Sequence, residues 1–69
     1  MAAPTNCVEV VRLTYGWYVV TAFDLFGRRV RQRQSPAFST EGRRRAWAIK
    51  QAELYAEQFG LWFDGRVWD

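Results

Sequence analysis

Trp17-Tyr18-Val19-Val20-Thr21-Ala22-Phe23 is the most strand-prone run in the chain, filled with β-branched and aromatic residues and broken by no turn former. Alternation places Trp17, Val19, Thr21 and Phe23 on one face and Tyr18, Val20 and Ala22 on the other. Both faces are apolar, as expected of a central strand. Before it, Tyr15-Gly16 breaks the chain, and Cys7 to Thr14, with Val8, Val10, Val11 and Leu13, reads as a first strand. After it, a turn over Asp24 to Gly27 leads into Arg28 to Gln34. There Val30 shares a face with Arg28 and Gln32, while Arg29, Arg31 and Arg33 line the opposite one. This third strand is polar enough for a sheet edge.

Ser35-Pro36 ends strand pairing, because proline has no amide donor. Ser39 or Thr40 is placed to cap a helix running from about Glu41 to Phe59, and Gly60 follows as its C-cap. Ala48, Ala52, Tyr55, Ala56 and Phe59 recur at spacings of three and four, an apolar stripe that lies on the sheet, with alanines letting the two layers approach closely. Trp47 and Leu54 fall on another part of the helix and form a second apolar patch. Either the C-terminal segment covers it or it is a partner surface. In that segment Asp64-Gly65, flanked by Leu61-Trp62-Phe63 and Arg66-Val67-Trp68, signals a two-residue hairpin. The expected architecture is one α+β domain over residues 1–69. It has a flexible N-terminus (1–6), a three-stranded antiparallel sheet (7–34) packed on one C-terminal helix (41–59), and a short aromatic hairpin or tail (61–68), in the order βββα.

At 69 residues the chain has room for one small domain, and a hydrophobic content of 49% with 17% aromatics is far too apolar for a disordered segment. A single cysteine, Cys7, cannot close an intramolecular disulfide, which points to a reducing cytoplasm. The first six residues carry no basic, apolar leader pattern, and no apolar run approaches the roughly 20 residues of a membrane span, so neither a signal peptide nor membrane association is expected.

The inventory for catalysis is thin. There is no histidine, one cysteine cannot build a zinc site, and no glycine-rich phosphate loop is present. Glu53 and Glu57 sit one helical turn apart on what should be a solvated face. Nothing near Cys7 in sequence would lower its pKa, so it reads as a small core residue. No enzymatic activity, metal or cofactor is expected.

Nine of the ten basic residues are arginine, and the formal net charge is +3. Arginine engages phosphate with a planar fork and stacks on bases, although a GC-rich coding sequence also favours it. Arg28, Arg29, Arg31 and Arg33 crowd the third strand, where alternate residues step by about 6.8 Å, comparable with successive phosphates on a nucleic-acid strand. Gln32 and Gln34 alternate with them and can read adenine if their face enters the major groove. Arg43-Arg44-Arg45 opens the helix, where cations are locally unfavourable by a few tenths of a kcal/mol each, so either they serve phosphate binding or Glu41 and other acids offset them.

Gly16-Trp17-Tyr18-Val19-Val20, then Phe26-Gly27-Arg28-Arg29-Val30, then Phe38-Ser39-Thr40 with Ala46-Trp47-Ala48, resembles the N-terminal arm-type DNA-binding domain of tyrosine-family phage integrases. The resemblance spans roughly residues 16–59 and rests on spacing and a few residue types. It implies a three-stranded antiparallel sheet on one helix, with the sheet placed in the DNA major groove by Arg29, Arg31 and Arg33. The family usually has alanine where Arg44 stands, joins this domain to a catalytic one, and has no counterpart of the tail from Leu61 to Trp68. The expectation is therefore a free-standing phage or mobile-element relative.

Two functions follow as expectations. One is a small nucleic-acid-binding accessory protein, on double-stranded DNA, using Arg28, Arg29, Arg31, Gln32, Arg33, Gln34, Arg43, Arg44 and Arg45. The other is a phage-encoded, anti-CRISPR-like inhibitor of a host defence or regulatory protein, docking through Trp47, Leu54, Trp62 and Trp68, since tryptophan and arginine are favoured at binding hot spots. A homodimer is compatible with either.

Overall fold

The computed structural model describes residues 4–69. β1 (Cys7–Leu13) and β2 (Trp17–Phe23) pair antiparallel, and β3 (Arg29–Gln34) pairs antiparallel with β2. After a short 3-10 turn between β1 and β2 (Thr14–Gly16), the one α-helix among the described residues, α1 (Glu41–Phe59), crosses back over β2 and β1, and β4 (Val67–Trp68) follows it. The sheet order is β3-β2-β1-β4, a mixed four-stranded sheet with α1 on one face. The α+β class, the three antiparallel strands and the helix agree with the sequence reading. The fourth strand does not.

The expected hairpin at Asp64-Gly65 does not form. Trp62 bridges Cys7 and Val67-Trp68 pairs with Val10-Val11, both in the parallel sense, so the whole tail runs one way along β1. Trp62 to Val67 is five steps where Cys7 to Val10 is three, and the surplus bulges out at Asp64-Gly65. Gly65 takes a left-handed φ of 80° there, and the Asp64 carboxylate accepts the Arg66 amide at 2.9 Å. The reason is the free edge of β1. α1 delivers the chain to the end where β1 begins, and pairing along β1 satisfies backbone groups that a detached hairpin would leave open. Val8 N donates to Trp62 O at 2.9 Å.

The flexible segment expected over residues 1–6 lies outside the described residues at 1–3. Asn6, however, is tied down: its amide donates to Asp24 O at 2.8 Å and its carbonyl accepts from Trp62 N at 3.2 Å.

The core is the inner face of the sheet against the helix stripe: Val8, Val10, Tyr18, Val20 and Ala22 beneath Ala48, Ala52 and Tyr55. Ala48 and Ala52 are fully buried, which is what brings the helix close to β2. Leu61, Phe63 and Val67 extend this core under the tail. The helix starts at the Thr40 cap, whose hydroxyl accepts the Arg43 amide, and closes at Gly60. A clasp joins its first residue to the sheet. Glu41 accepts from Arg12 Nε at 2.8 Å and from the Tyr18 hydroxyl at 2.7 Å. Glycine is required at Gly16 beside this clasp, because its φ is 74° and a side-chain carbon there would overlap the Glu41 carboxylate.

Candidate nucleic-acid interface

The third strand is an edge, and all six of its residues are exposed. Its side chains do not alternate as the sequence suggests. The Asp24 carboxylate accepts the amides of Phe26 and Arg28 at 2.9 Å each, which winds a tight turn, and the register with β2 then shifts between Ala22 and Phe23. Arg29 pairs with Phe23, Arg31 with Ala22, and Val30 is the extra residue of a bulge. The row Arg29, Arg31, Arg33 is thereby split. Arg31 and Arg33 project on the helix side of the sheet, whereas Arg29 joins Gln32 and Gln34 on the opposite, helix-free side.

Each helix-side arginine lies on an aromatic ring. The Arg31 guanidinium sits 5.6 Å from the centre of the Tyr55 ring and Arg33 5.3 Å from that of Trp47. At the helix start Arg43 lies 5.1 Å from Phe38 and Arg44 5.1 Å from Trp17. Such pairs contribute about 0.5–1 kcal/mol each at exposed sites. Among the described residues the ion pairs are Arg12–Glu41 at 2.8 Å and Arg28–Asp24 at 2.9 Å. Arg29, Arg31, Arg33, Arg43 and Arg45 are in neither; ring contacts orient Arg31, Arg33 and Arg43, and Arg29 donates to Gln32.

Several residues singled out in the sequence are committed elsewhere. Arg28 is held by Asp24, whose carboxyl lies below its ordinary value because the Arg28 and Phe26 amides and the Arg28 side chain donate to it. Arg44 is a structural clamp: it donates to the carbonyls of Gly16 and Phe38. Gln32 donates to Thr21 Oγ1 at 3.0 Å and accepts from Arg29 at 3.2 Å, so both ends of its amide are in use. Gln34 lines an open concavity of about 600 Å³ on the helix-free face, with Val11, Leu13 and Trp17 as its floor.

Comparison with known protein families, with characterised proteins and with solved structures finds no match.

The aromatic residues divide as well. Trp47 is covered by Arg33 from the β3 edge, while the tail lies along β1, so the tail is not what covers that patch; Leu54 beside it stays half-exposed. Trp62 and Trp68 remain 66% and 43% exposed at the other edge, with Arg66 stacked 4.4 Å from Trp68. Cys7 is partly covered, and burial together with Glu9 and Asp64 pushes its thiol up, away from the reactive thiolate. Among the described residues no group of three or more His, Cys, Asp or Glu is placed to hold a metal, and no helix is long and apolar enough to cross a membrane.

Sequence reasoning missed the clasp at Glu41. The Arg12 and Tyr18 hydrogen bonds pull the Glu41 carboxyl down to about 2, and Glu41 in turn raises the Arg12 guanidinium. No local pattern announces a contact that spans 29 residues. Tyr55 stands in the sequence as a member of the apolar helix stripe, and its second use as a platform for Arg31, like that of Phe38 for Arg43, shows only in three dimensions.

Proposed function

We propose that this protein is a small, non-catalytic nucleic-acid-binding module that grips the phosphate backbone of double-stranded DNA with the β3 edge and the start of α1. The observation that carries this reading is the set of Arg31 and Arg33 on the β3 edge and Arg43 at the start of α1, free of carboxylate partners and each beside a ring. Stacking restricts the arginine rotamers before a ligand arrives and leaves the in-plane N–H groups outward, which lowers the ordering cost of binding. Arg45, exposed in the same turn, adds to the field. The chain is then a free-standing relative of the integrase arm domain with a different docking surface. The edge meets the phosphates, and the sheet face, with valines and tryptophan on it and Gln32 already engaged, is poorly suited to reading bases.

Binding of fluorescent mixed-sequence duplex over a salt series tests this. The slope of log affinity against log salt changes by roughly 0.9 for each phosphate contact, so Arg31→Ala with Arg33→Ala should make it shallower by about 1.8. Absence of binding at low salt, or an unchanged slope in the double variant, would overturn the reading. A second reading, a protein-binding inhibitor of phage type, is favoured by one observation: Trp62 and Trp68 stay exposed at the tail edge, opposite the β3 edge that carries Arg31 and Arg33.

A further inference from the structure

We propose that the gap between β1 and the tail is a binding site for a guanidinium group, the head of an arginine side chain. The bulge at Asp64-Gly65 makes the gap. Trp62 bridges Cys7 and Trp68 pairs with Val11, so the two tryptophans stand four steps of β1 apart, about 13 Å along the strand, with the tail between them bowed away. Between them lies a cavity of about 190 Å³ walled by Cys7, Val8, Glu9, Trp62, Asp64 and Trp68. It lies at the tail edge, across the sheet from Arg31 and Arg33.

The walls select an organic cation. Glu9 and Asp64 both line the cavity, and neither is in an ion pair among the described residues; Asp64 accepts a backbone amide, that of Arg66. Burial first, and then these same two carboxylates, push up the Cys7 thiol in the same wall, so the space between them favours positive charge. Trp62 supplies the ring. Trp17, Trp47 and Trp68 carry the chain's own Arg44, Arg33 and Arg66, whereas Trp62 has no such cation among the described residues. Arg66 is not one of the cavity's walls, and set against Glu9 and Asp64 it leaves one negative charge in excess. A guanidinium answers both kinds of wall at once, because its plane stacks on an indole while its N–H groups engage a carboxylate; an ammonium is a more strongly hydrated point charge with no plane to stack. Pairs of this kind open to water are weak, so the isolated group should bind in the millimolar range. The site does not rest on the DNA reading.

Titration of the nitrogen-15-labelled protein with agmatine and with a capped Gly-Arg-Gly peptide, at constant ionic strength, tests it through the four tryptophan indole N–H resonances. Those of Trp62 and Trp68 should move saturably while those of Trp17 and Trp47 stay in place. Glu9→Gln with Asp64→Asn, where the asparagine can still accept the Arg66 amide, should weaken binding at least tenfold, with circular dichroism confirming the fold. Tighter binding of the peptide than of agmatine supports the site with a protein's arginine as its ligand, and the reverse order supports it with a free small molecule. Shifts that do not saturate by tens of millimolar, or that touch all four indoles alike, overturn the proposal. An unchanged affinity in the folded double variant overturns it too, as does a capped Gly-Lys-Gly peptide that binds as tightly as the arginine one, because charge alone is then being read.

Discussion

Val19 and Val20 are the same side chain, one residue apart on the same strand, yet Val20 is fully buried beneath α1 while Val19 is only partly covered. Val10 and Val11 repeat the contrast on β1. The two faces of these strands are almost equally apolar in composition, and one helix can cover only one of them. A run that is apolar on both faces therefore says that something must lie on each side; it does not say whether the second cover belongs to the same chain. Here the covered face holds the fold together, and the other keeps Val19 and Val11 only partly covered.

The sharpest way to break that comparison is to place the same charge on each side. Val20→Asp puts an unpaired carboxylate into the core, at a cost of several kcal/mol, against a total stability of about 3–10 kcal/mol for a domain of this length. The expected outcome is loss of the cooperative unfolding transition. Val19→Asp should retain it, with stability lowered by no more than about 1 kcal/mol. Equal damage from the two, read by thermal denaturation at micromolar concentration, would mean that the outer face is as much a core as the inner one.

A smaller effect separates the faces by pH. The clasp at Glu41 ties the helix to the inner face, and Arg12 and Tyr18 depress its carboxyl from 4.5 to about 2. A depressed acid binds its proton less readily in the folded state than in the unfolded one, so its contribution is complete above about pH 5 and is lost as the pH falls from 4.5 toward 2. Thermal midpoints measured across that window should decline in the wild type and decline less steeply in Glu41→Gln. Parallel curves would show that the clasp contributes nothing to acid sensitivity.

What was legible in the sequence follows the range of the interactions. β2 and α1 are written in local patterns: alternation in one, and spacings of three and four with a Thr40 cap and Gly60 stop in the other. Both appear with the expected bounds. The edges are not local. The split of Arg29 from Arg31 and Arg33 depends on a bulge set by the Asp24 carboxylate, and simple alternation cannot see it. The tail carries a sound hairpin signal at Asp64-Gly65, but the unpaired edge of β1 outcompetes it. The arginines of β3 were legible as a cluster. Which of them are free, and which rings hold them, depends on the packing of a helix that comes later in the chain.

The finest probe of the inner face is a single oxygen. Tyr55 is 1% exposed, its ring carries Arg31 on one side and meets Phe59 edge-on at 6.0 Å, and its hydroxyl finds no hydrogen-bond partner among the described residues. Its value to the fold thus lies in the ring and not in the hydroxyl. Replacing a buried hydroxyl that makes no bond removes a desolvation cost of about 1–3 kcal/mol without breaking an interaction, so Tyr55→Phe should be neutral or slightly stabilising. Tyr18, equally buried on the same face, is the internal control, because its hydroxyl donates to Glu41 and Tyr18→Phe should lower the midpoint. If chemical denaturation shows Tyr55→Phe to be the more damaging of the two, the Tyr55 hydroxyl is bonded, and the inner face holds a polar link where the packing places only a ring.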